Sequence, residues 1–462
     1  MSVPVNGENR RVRAGLLGLG TVGSGFIKAL AQNGESIRQR TGCEIEIPYI
    51  LVRNPSKERN VKVKPEQITT DPGVILSSTD IPVVIEVMGG IEPARTIILS
   101  ALRAGKHVIT ANKELLAKHG PELLRAAEES GVQLLFEASV AGGIPVIRFL
   151  QGYLTANRVH EVSGILNGTT NYILTQMEQT GQSFAEVLAK AQELGYAEAD
   201  PTSDVEGFDA AYKLAILTNL AYDVQVSPYE IPREGITSIQ PLDLKWAREF
   251  GYVIKLIGRS RRTEAGIDVS VGPVLLPMSH PLARVNDVFN AVTISGDVVG
   301  DLTFIGKGAG EYPTASAVLE DLTALLRQPG QVLRSPNWET PVYPDVNQEA
   351  VRPFFVRFKA IVDTFAHAEH QFRLFITRSG GRIVRETGMA SAKEAVGGYV
   401  VTGLEKSVLQ AFLTGGMLEK LLHEPPLLIP CAEDETIDCQ DAAFAAEPGL
   451  YAKSVEFMSQ SV

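Results

Sequence analysis

Over the first 150 residues, apolar runs of strand length alternate with stretches whose apolar positions recur at helical spacing. The runs are Arg11–Leu17, Cys43–Val52, Val83–Met88, His107–Thr110 and Val132–Phe136; Phe26–Ala31, Pro93–Ala104 and Asn112–Ser130 carry the helical period. Strand and helix in alternation predict an α/β domain built on a doubly wound parallel sheet over 1–150. The pattern then changes. Strands are expected at Val159–Leu166, Tyr252–Arg259, Ile267–Leu276 and Ala291–Phe304, and helices at Thr170–Gln179, Ser183–Leu194 and Asp204–Tyr222. That mixture predicts an α+β domain over 151–304, whose sheet, covered by helices on one face, leaves the other for dimerisation. Tyr312–Leu326 is apolar at helical spacing, so 305–327 is expected to pack back on the first domain. Pro329, Pro336, Pro341 and Pro344 mark 328–350 as a linker. Within 351–432, Phe354–Phe358, Gln371–Thr377, Arg382–Glu386, Tyr399–Val401 and Pro426–Pro430 alternate as strands do, while Ile361–His370 and Glu405–Leu413 read as helices. The acidic, alanine-rich stretch 433–462 reads as a tail.

Composition narrows the class. With 44% hydrophobic and 21% charged residues this is a globular chain, and 462 residues call for more than one core. A net charge of −11 without a basic run argues against a nucleic-acid partner. No apolar stretch approaches the roughly 18 residues that a membrane span needs, so no membrane partner is expected. Cys43, Cys431 and Cys439 are scattered, which suits a reducing cytoplasm.

The first strand runs directly into Gly18-Leu19-Gly20-Thr21-Val22-Gly23. A G-x-G-x-x-G between strand and helix binds a dinucleotide. Gly18 allows the turn, Gly20 lets the pyrophosphate approach, and Gly23 lets helix and strand pack closely. The second strand ends Leu51-Val52-Arg53, with Arg53 where a ribose-binding acid would stand. A guanidinium suits a 2′-phosphate, so NADP(H) is favoured and NAD(H) stays open. Lys113 follows the strand His107–Thr110 in the first turn of a helix, where a cation is disfavoured unless it serves the cleft.

Further on, GYAEADPTSDVEGFDAAYK gathers Glu198, Asp200, Asp204, Glu206 and Asp209 ahead of Lys213. Asp209 and Lys213 are four apart and share one helix face. A buried lysine tuned by carboxylates can exchange a proton with an alkoxide or carbonyl oxygen. Taken alone, the segment reads more readily as a solvated helix start with an ordinary ion pair.

Taken together, six motifs resemble homoserine dehydrogenase: the glycine turn, Ala111-Asn112-Lys113, EASVAGGIP from Glu137, GILNGTTNYIL from Gly164, the acidic helix ending at Lys213, and Gly306-Lys307-Gly308-Ala309-Gly310. They stand in the family's order over about 10–330. The resemblance implies reduction of L-aspartate 4-semialdehyde to L-homoserine by a nicotinamide cofactor, a step toward threonine, methionine and isoleucine, in a homodimer or homotetramer. It also implies that Lys213 moves the proton, that Lys113 shares in this beside the cofactor, and that Glu198 and Asp209 hold the substrate's amino group. Thr21, Val22, Gly195 and Gly310 would contact the nucleotide. Glu137, with the carbonyls of Val140, Gly142 and Ile144, would hold a structural sodium ion; from the residues alone, that segment is simply a structural turn.

Many members carry a ligand-sensing ACT domain at the C-terminal end, a ferredoxin-like βαββαβ unit similar in order to 351–432. Their D-x-P-G-V loop is replaced here by Arg357-Phe358-Lys359-Ala360-Ile361, which puts threonine feedback in doubt. Two rival readings fit less well. An aspartate semialdehyde dehydrogenase needs an activated cysteine near the cofactor, and a catalytically dead dinucleotide sensor would have lost Lys113, Asp209 or Lys213.

Overall fold

The computed structural model describes residues 10–328, 341–343 and 352–432. The expected tail, Cys439 and nearly all of the expected linker lie outside the described residues.

The first layer is a parallel sheet. It contains β1 (Arg10–Leu17), β2 (Cys43–Glu46), β3 (Ile50–Leu51), β4 (Ile68–Thr69), β5 (Val83–Glu86), β6 (His107–Thr110) and β7 (Leu134–Leu135). The order is β4-β3-β1-β5-β6-β7, with β2 also on β1, and every pairing is parallel. The helices are α1 (Thr21–Thr41), α2 (Gly73–Leu76), α3 (Ala94–Arg103) and α4 (Lys113–Glu129). Chain order reverses beside β1, and the crevice at that switch point is where such sheets take a ligand. The expected single strand Cys43–Val52 is split at Ile47-Pro48-Tyr49, because Pro48 has no N–H to give to a ladder.

The second unit holds α5 (Val146–Arg148), β8 (Val159–Ile165), α6 (Gly168–Thr180), α7 (Phe184–Glu193), α8 (Thr202–Val205), α9 (Phe208–Tyr222), α10 (Pro241–Glu249), β9 (Tyr252–Thr263), β10 (Gly266–Pro277), β11 (Phe289–Gly296) and β12 (Gly300–Lys307). Its antiparallel sheet runs β10-β9-β8-β11-β12, with α6 and α9 packed on it. Ala291–Phe304 is a hairpin rather than one strand: it turns at Asp297–Gly300, with Gly300 at φ 73°. The helix expected over Asp204–Tyr222 is likewise two. Gly207 breaks it at φ 81°, in the left-handed region that glycine tolerates.

α11 (Glu311–Arg327) returns to the first domain and lies along α1. A Cβ on Gly25 would fall 2.5 Å from the Glu311 carbonyl oxygen, and Lys28 pairs with Glu311 at 2.7 Å. Val318, Leu322 and Leu325 join Phe26 and Ala29 in one buried cluster.

The C-terminal unit is β13 (Phe354–Ile361), α12 (Val362–Arg378), β14 (Arg382–Ala390), β15 (Glu394–Thr402), α13 (Lys406–Leu413), α14 (Gly416–Glu419) and β16 (Leu427–Pro430), in sheet order β14-β15-β13-β16. With the short α14 set aside, this is a βαββαβ ferredoxin-like arrangement. Gln371–Thr377, expected as a strand, is the second half of α12. Its buried residues continue Phe365 and Ala368 at helical spacing through Phe372 and Ile376. The segment Arg357–Ile361 sits inside β13, which enters α12 at Val362 with no intervening loop.

Candidate active site

At the carboxyl end of β1 the three glycines have separate physical reasons. Gly18 adopts φ 103°, and a Cβ there would come within 2.9 Å of the Val87 carbonyl oxygen. A Cβ on Gly23 would strike the Gly18 carbonyl oxygen at 2.3 Å, whereas Gly20 faces open space with nothing within 4 Å. Gly20 is also the N-cap of α1, with Thr21 and Val22 in its first turn. An opening of this kind at a helix N-terminus suits a pyrophosphate. Arg53 is exposed just past β3, and Arg59 folds the following loop by donating to the carbonyls of Asn54, Pro55 and Lys57. Gly310, at φ 126°, precedes α11 where that helix meets α1, and Gly195, at φ 75°, follows α7 with open space around it.

Across the crevice stands a compact charged cluster. α9 buries Asp209 and Lys213 on its inner face, and Lys213 donates to Asp209 Oδ2 at 2.7 Å and to the Leu166 carbonyl at 2.8 Å. Lys113, the first residue of α4, reaches from the other domain to Asp209 Oδ1. Asn167 is the N-cap of α6 through its Oδ1, and its amide nitrogen donates to Asp209 Oδ2 at 2.8 Å and to Asp204 Oδ1 at 2.6 Å. One carboxylate therefore anchors a lysine from each wall of the cleft. Glu198 is exposed, close enough for its charge to act on Lys113. Asp200 accepts the Thr202 N–H and hydroxyl in a local cap, and Glu206 accepts the Thr237 hydroxyl at 3.3 Å.

The electrostatics follow from burial and these pairs. Burial pulls the Lys213 ammonium below the ordinary lysine value, against the opposing pull of Asp209. Lys113 is pushed the other way, chiefly by the Asp209 charge. For Asp209 itself, burial is outweighed by the two ammonium groups, which hold it well below the usual carboxylate range. Asp204 is raised, by burial first and then by Asp209. At neutral pH a charged pair, Asp209 with Lys113, thus flanks a lysine poised to lose its proton more readily than usual.

Glu137 is buried beside α11. Its oxygens accept the N–H groups of Ile147 at 2.9 Å and Arg148 at 2.8 Å, and its own N–H donates to Asp321 at 2.8 Å. Burial, then the neighbouring Asp321, push its carboxyl up to about 7. The turn between Glu137 and Ile144 places Ala141 and Gly142 at φ 55° and 54°, packed on the Lys307–Gly308 backbone.

Asn167 and the Leu166 carbonyl were not singled out from the sequence as site groups, and Asp204 stood there only among the acids ahead of Lys213. The signal was an Asn one residue ahead of a helix start, a cap pattern whose amide had a second use. Asn171, from the same motif, faces away from the cluster and, with Lys255, holds the Val285–Phe289 segment.

A nicotinamide-type dinucleotide fold whose cleft places two lysines about one carboxylate defines an NAD(P)-dependent dehydrogenase. Family models described as "Homoserine dehydrogenase, NAD binding domain" and "Homoserine dehydrogenase" match residues 18–137 and 145–323. The chain is 46% identical over 318 residues to the homoserine dehydrogenase of Bacillus subtilis, covering 69% of this chain and 73% of that one. The crystal structure of a homoserine dehydrogenase from Thiobacillus denitrificans shares 36% identity at a TM-score of 0.81, over 92% of this chain and 99% of that one. A hyperthermophilic archaeal homoserine dehydrogenase in complex with NADPH is 25% identical at a TM-score of 0.59, over 70% of this chain and 100% of that one. The chain belongs to the homoserine dehydrogenase family. Among the described residues no helix is long and apolar enough to cross a membrane.

Proposed function

We propose that the cleft reduces L-aspartate 4-semialdehyde to L-homoserine with NADP(H), and that Lys213 gives the proton to the carbonyl oxygen as hydride arrives. The observation that carries this reading is the Lys213–Asp209–Lys113 cluster, in which buried Asp209 and Lys213 on α9 meet partly exposed Lys113, the first residue of α4. Hydride transfer builds negative charge on oxygen, which an ammonium stabilises before giving up its proton. In reverse, burial favours the neutral amine that removes the hydroxyl proton. Both oxygens of Asp209 are engaged by lysines and Asn167, so its part is to orient them, and exposed Glu198 is left to receive the substrate ammonium. The cofactor supplies the hydride; Gly18, Gly20, Thr21, Val22 and Gly23 would hold its pyrophosphate.

NADP(H) is favoured over NAD(H) by Arg53, whose guanidinium can bind a 2′-phosphate, and the archaeal relative's complex with NADPH is in keeping with it. A sodium ion at Glu137 with the carbonyls of Val140, Gly142 and Ile144 fits the donor chemistry. All four are hard oxygens, and a cation would offset the repulsion between Glu137 and Asp321. Exposed Ile305 on edge strand β12 and exposed Tyr153 support a homo-oligomer through the five-stranded sheet. The ferredoxin-like unit takes the place of an ACT regulatory domain. Free, buried Cys43 and Cys431 suit a cytoplasmic setting.

The test is a steady-state assay of homoserine oxidation with NADP and NAD, each with and without threonine. Reduction of NADP that depends on homoserine supports the reading. Its absence with both cofactors would overturn it.

A further inference from the structure

Glu86 ends β5 with no solvent exposure. Its Oε1 accepts the N–H groups of Met88 at 2.7 Å and Gly89 at 3.2 Å, and its Oε2 accepts the Thr110 hydroxyl at 2.6 Å. Thr110 Oγ1 in turn accepts the Asn112 N–H at 3.0 Å. Asn112 donates its amide to the Gly90 carbonyl at 2.6 Å and caps α4 by accepting the Leu115 N–H at 3.1 Å. The next residue is Lys113. On its other side the Val87–Gly90 turn lies against the dinucleotide turn, since a Cβ on Gly18 would meet Val87 O at 2.9 Å and Met88 N at 3.1 Å.

One buried carboxyl thus touches both the backbone bordering the cofactor and the cap that places a cleft lysine. A carboxyl in such a core is costly, and burial raises it above the ordinary glutamate value. Packing alone would be served as well by an apolar side chain at the end of Val83-Val84-Ile85.

We propose that Glu86 is a positioning residue for hydride transfer, tying the cofactor-side turn after β5 to Lys113 through Thr110 and Asn112. This rests on the reading above that Lys113 works beside the reacting substrate. The relay has two ends that a structural strut would not couple. Loosening it shifts the cofactor's border and the lysine together.

The test is a double-mutant cycle in the full-length enzyme, with kcat for homoserine oxidation and NADPH affinity by fluorescence titration as readouts. Thr110→Val keeps the side-chain shape and removes the relay hydroxyl. It is expected to lower kcat at least tenfold and to weaken NADPH severalfold, while Thr110→Ser stays within about threefold of wild type. In a Lys113→Ala background, Thr110→Val should change the residual kcat less than about twofold, because the group it positions is gone. Equal losses in both backgrounds, or wild-type kcat for Thr110→Val, would overturn the proposal. Should Thr110→Val fail to fold, Glu86→Gln in the same cycle decides by the same criteria. A wild-type enzyme that binds NADPH but oxidises no homoserine would instead sink the reading of the site.

Discussion

Lys113 and Lys213 come from different domains and meet on one carboxylate: Asp209 takes Lys113 on Oδ1 and Lys213 on Oδ2, the latter at 2.7 Å. The pairing puts both lysines in direct contact with one side chain. Asp209→Asn should lower kcat by about a hundredfold, an effect of the size expected for a misplaced proton donor. Its pH profile should move as well. The Asp209 charge raises Lys213, so removing it lowers that lysine further, and the rising limb of homoserine oxidation shifts to lower pH. An unmoved limb would show that Asp209 does not tune Lys213.

On the proposed reading, cofactor choice depends on Arg53. Arg53→Ala should raise KM for NADP by about ten- to a hundredfold, the scale of lost charge-assisted hydrogen bonds, and should leave KM for NAD within about twofold. Parallel steady-state assays with the two cofactors decide it. Equal change for both would place Arg53 outside the 2′-phosphate site.

The buried acids by α11 make a statement about pH. Glu137 is raised to about 7 and Asp321 to about 6, both chiefly by burial. Raised carboxyl values mean that the folded state binds protons the unfolded state has released. Stability is therefore highest below about pH 4 as far as these groups go, falls as pH rises, and the loss is complete above about pH 7. A sodium ion on Glu137 would restore part of it. Thermal unfolding at pH 8 should shift to higher temperature in sodium chloride than in tetramethylammonium chloride of equal ionic strength. At pH 5, with Glu137 protonated, the two salts should agree. Identical melting at pH 8 would argue against the ion.

The ferredoxin-like unit is fixed to the catalytic unit by a buried pair. Arg357 on β13 lies 3.4 Å from Asp243 on α10, with Glu424 at 3.6 Å from the same guanidinium. Burial pushes Asp243 up to about 6 despite Arg357. Arg357→Leu leaves that acid without its partner and should cost about 3–5 kcal/mol in urea unfolding. Adding Asp243→Asn, which keeps an acceptor for the Gln240 N–H, should recover most of the loss.

Much of this was legible in the sequence, and for physical reasons. At Gly18 and Gly23 the pattern reflects steric demands that only glycine meets, and the structure agrees at both; Gly20 faces open space, as the expected approach of a pyrophosphate requires. The Asp209–Lys213 pair followed from helical spacing. Local pattern could not give what comes from the other side of the cleft. Lys113 looked like an anomaly at a helix start, and its partner lies 96 positions further on in the next domain. Glu86 closes an otherwise apolar strand, a signal readable only once Thr110 and Asn112 are seen beside it. Element boundaries failed where a single residue changed the backbone: at Gly207, Gly300 and Pro48. At Gln371–Thr377, Phe372 and Ile376 are spaced equally well for a strand face and a helix face, and it is their continuation of buried Phe365 and Ala368 at helical spacing that marks the helix.

The most direct measurement is the pH dependence of homoserine oxidation by wild type and Lys213→Ala, with NADPH affinity followed in parallel. The account predicts that wild-type kcat/KM rises with pH along a limb whose apparent pKa lies below that of an ordinary lysine. Lys213→Ala should lose that limb and at least a hundredfold in turnover while binding NADPH as wild type does. A Lys213→Ala enzyme that turns over at the wild-type rate with the limb intact would contradict it.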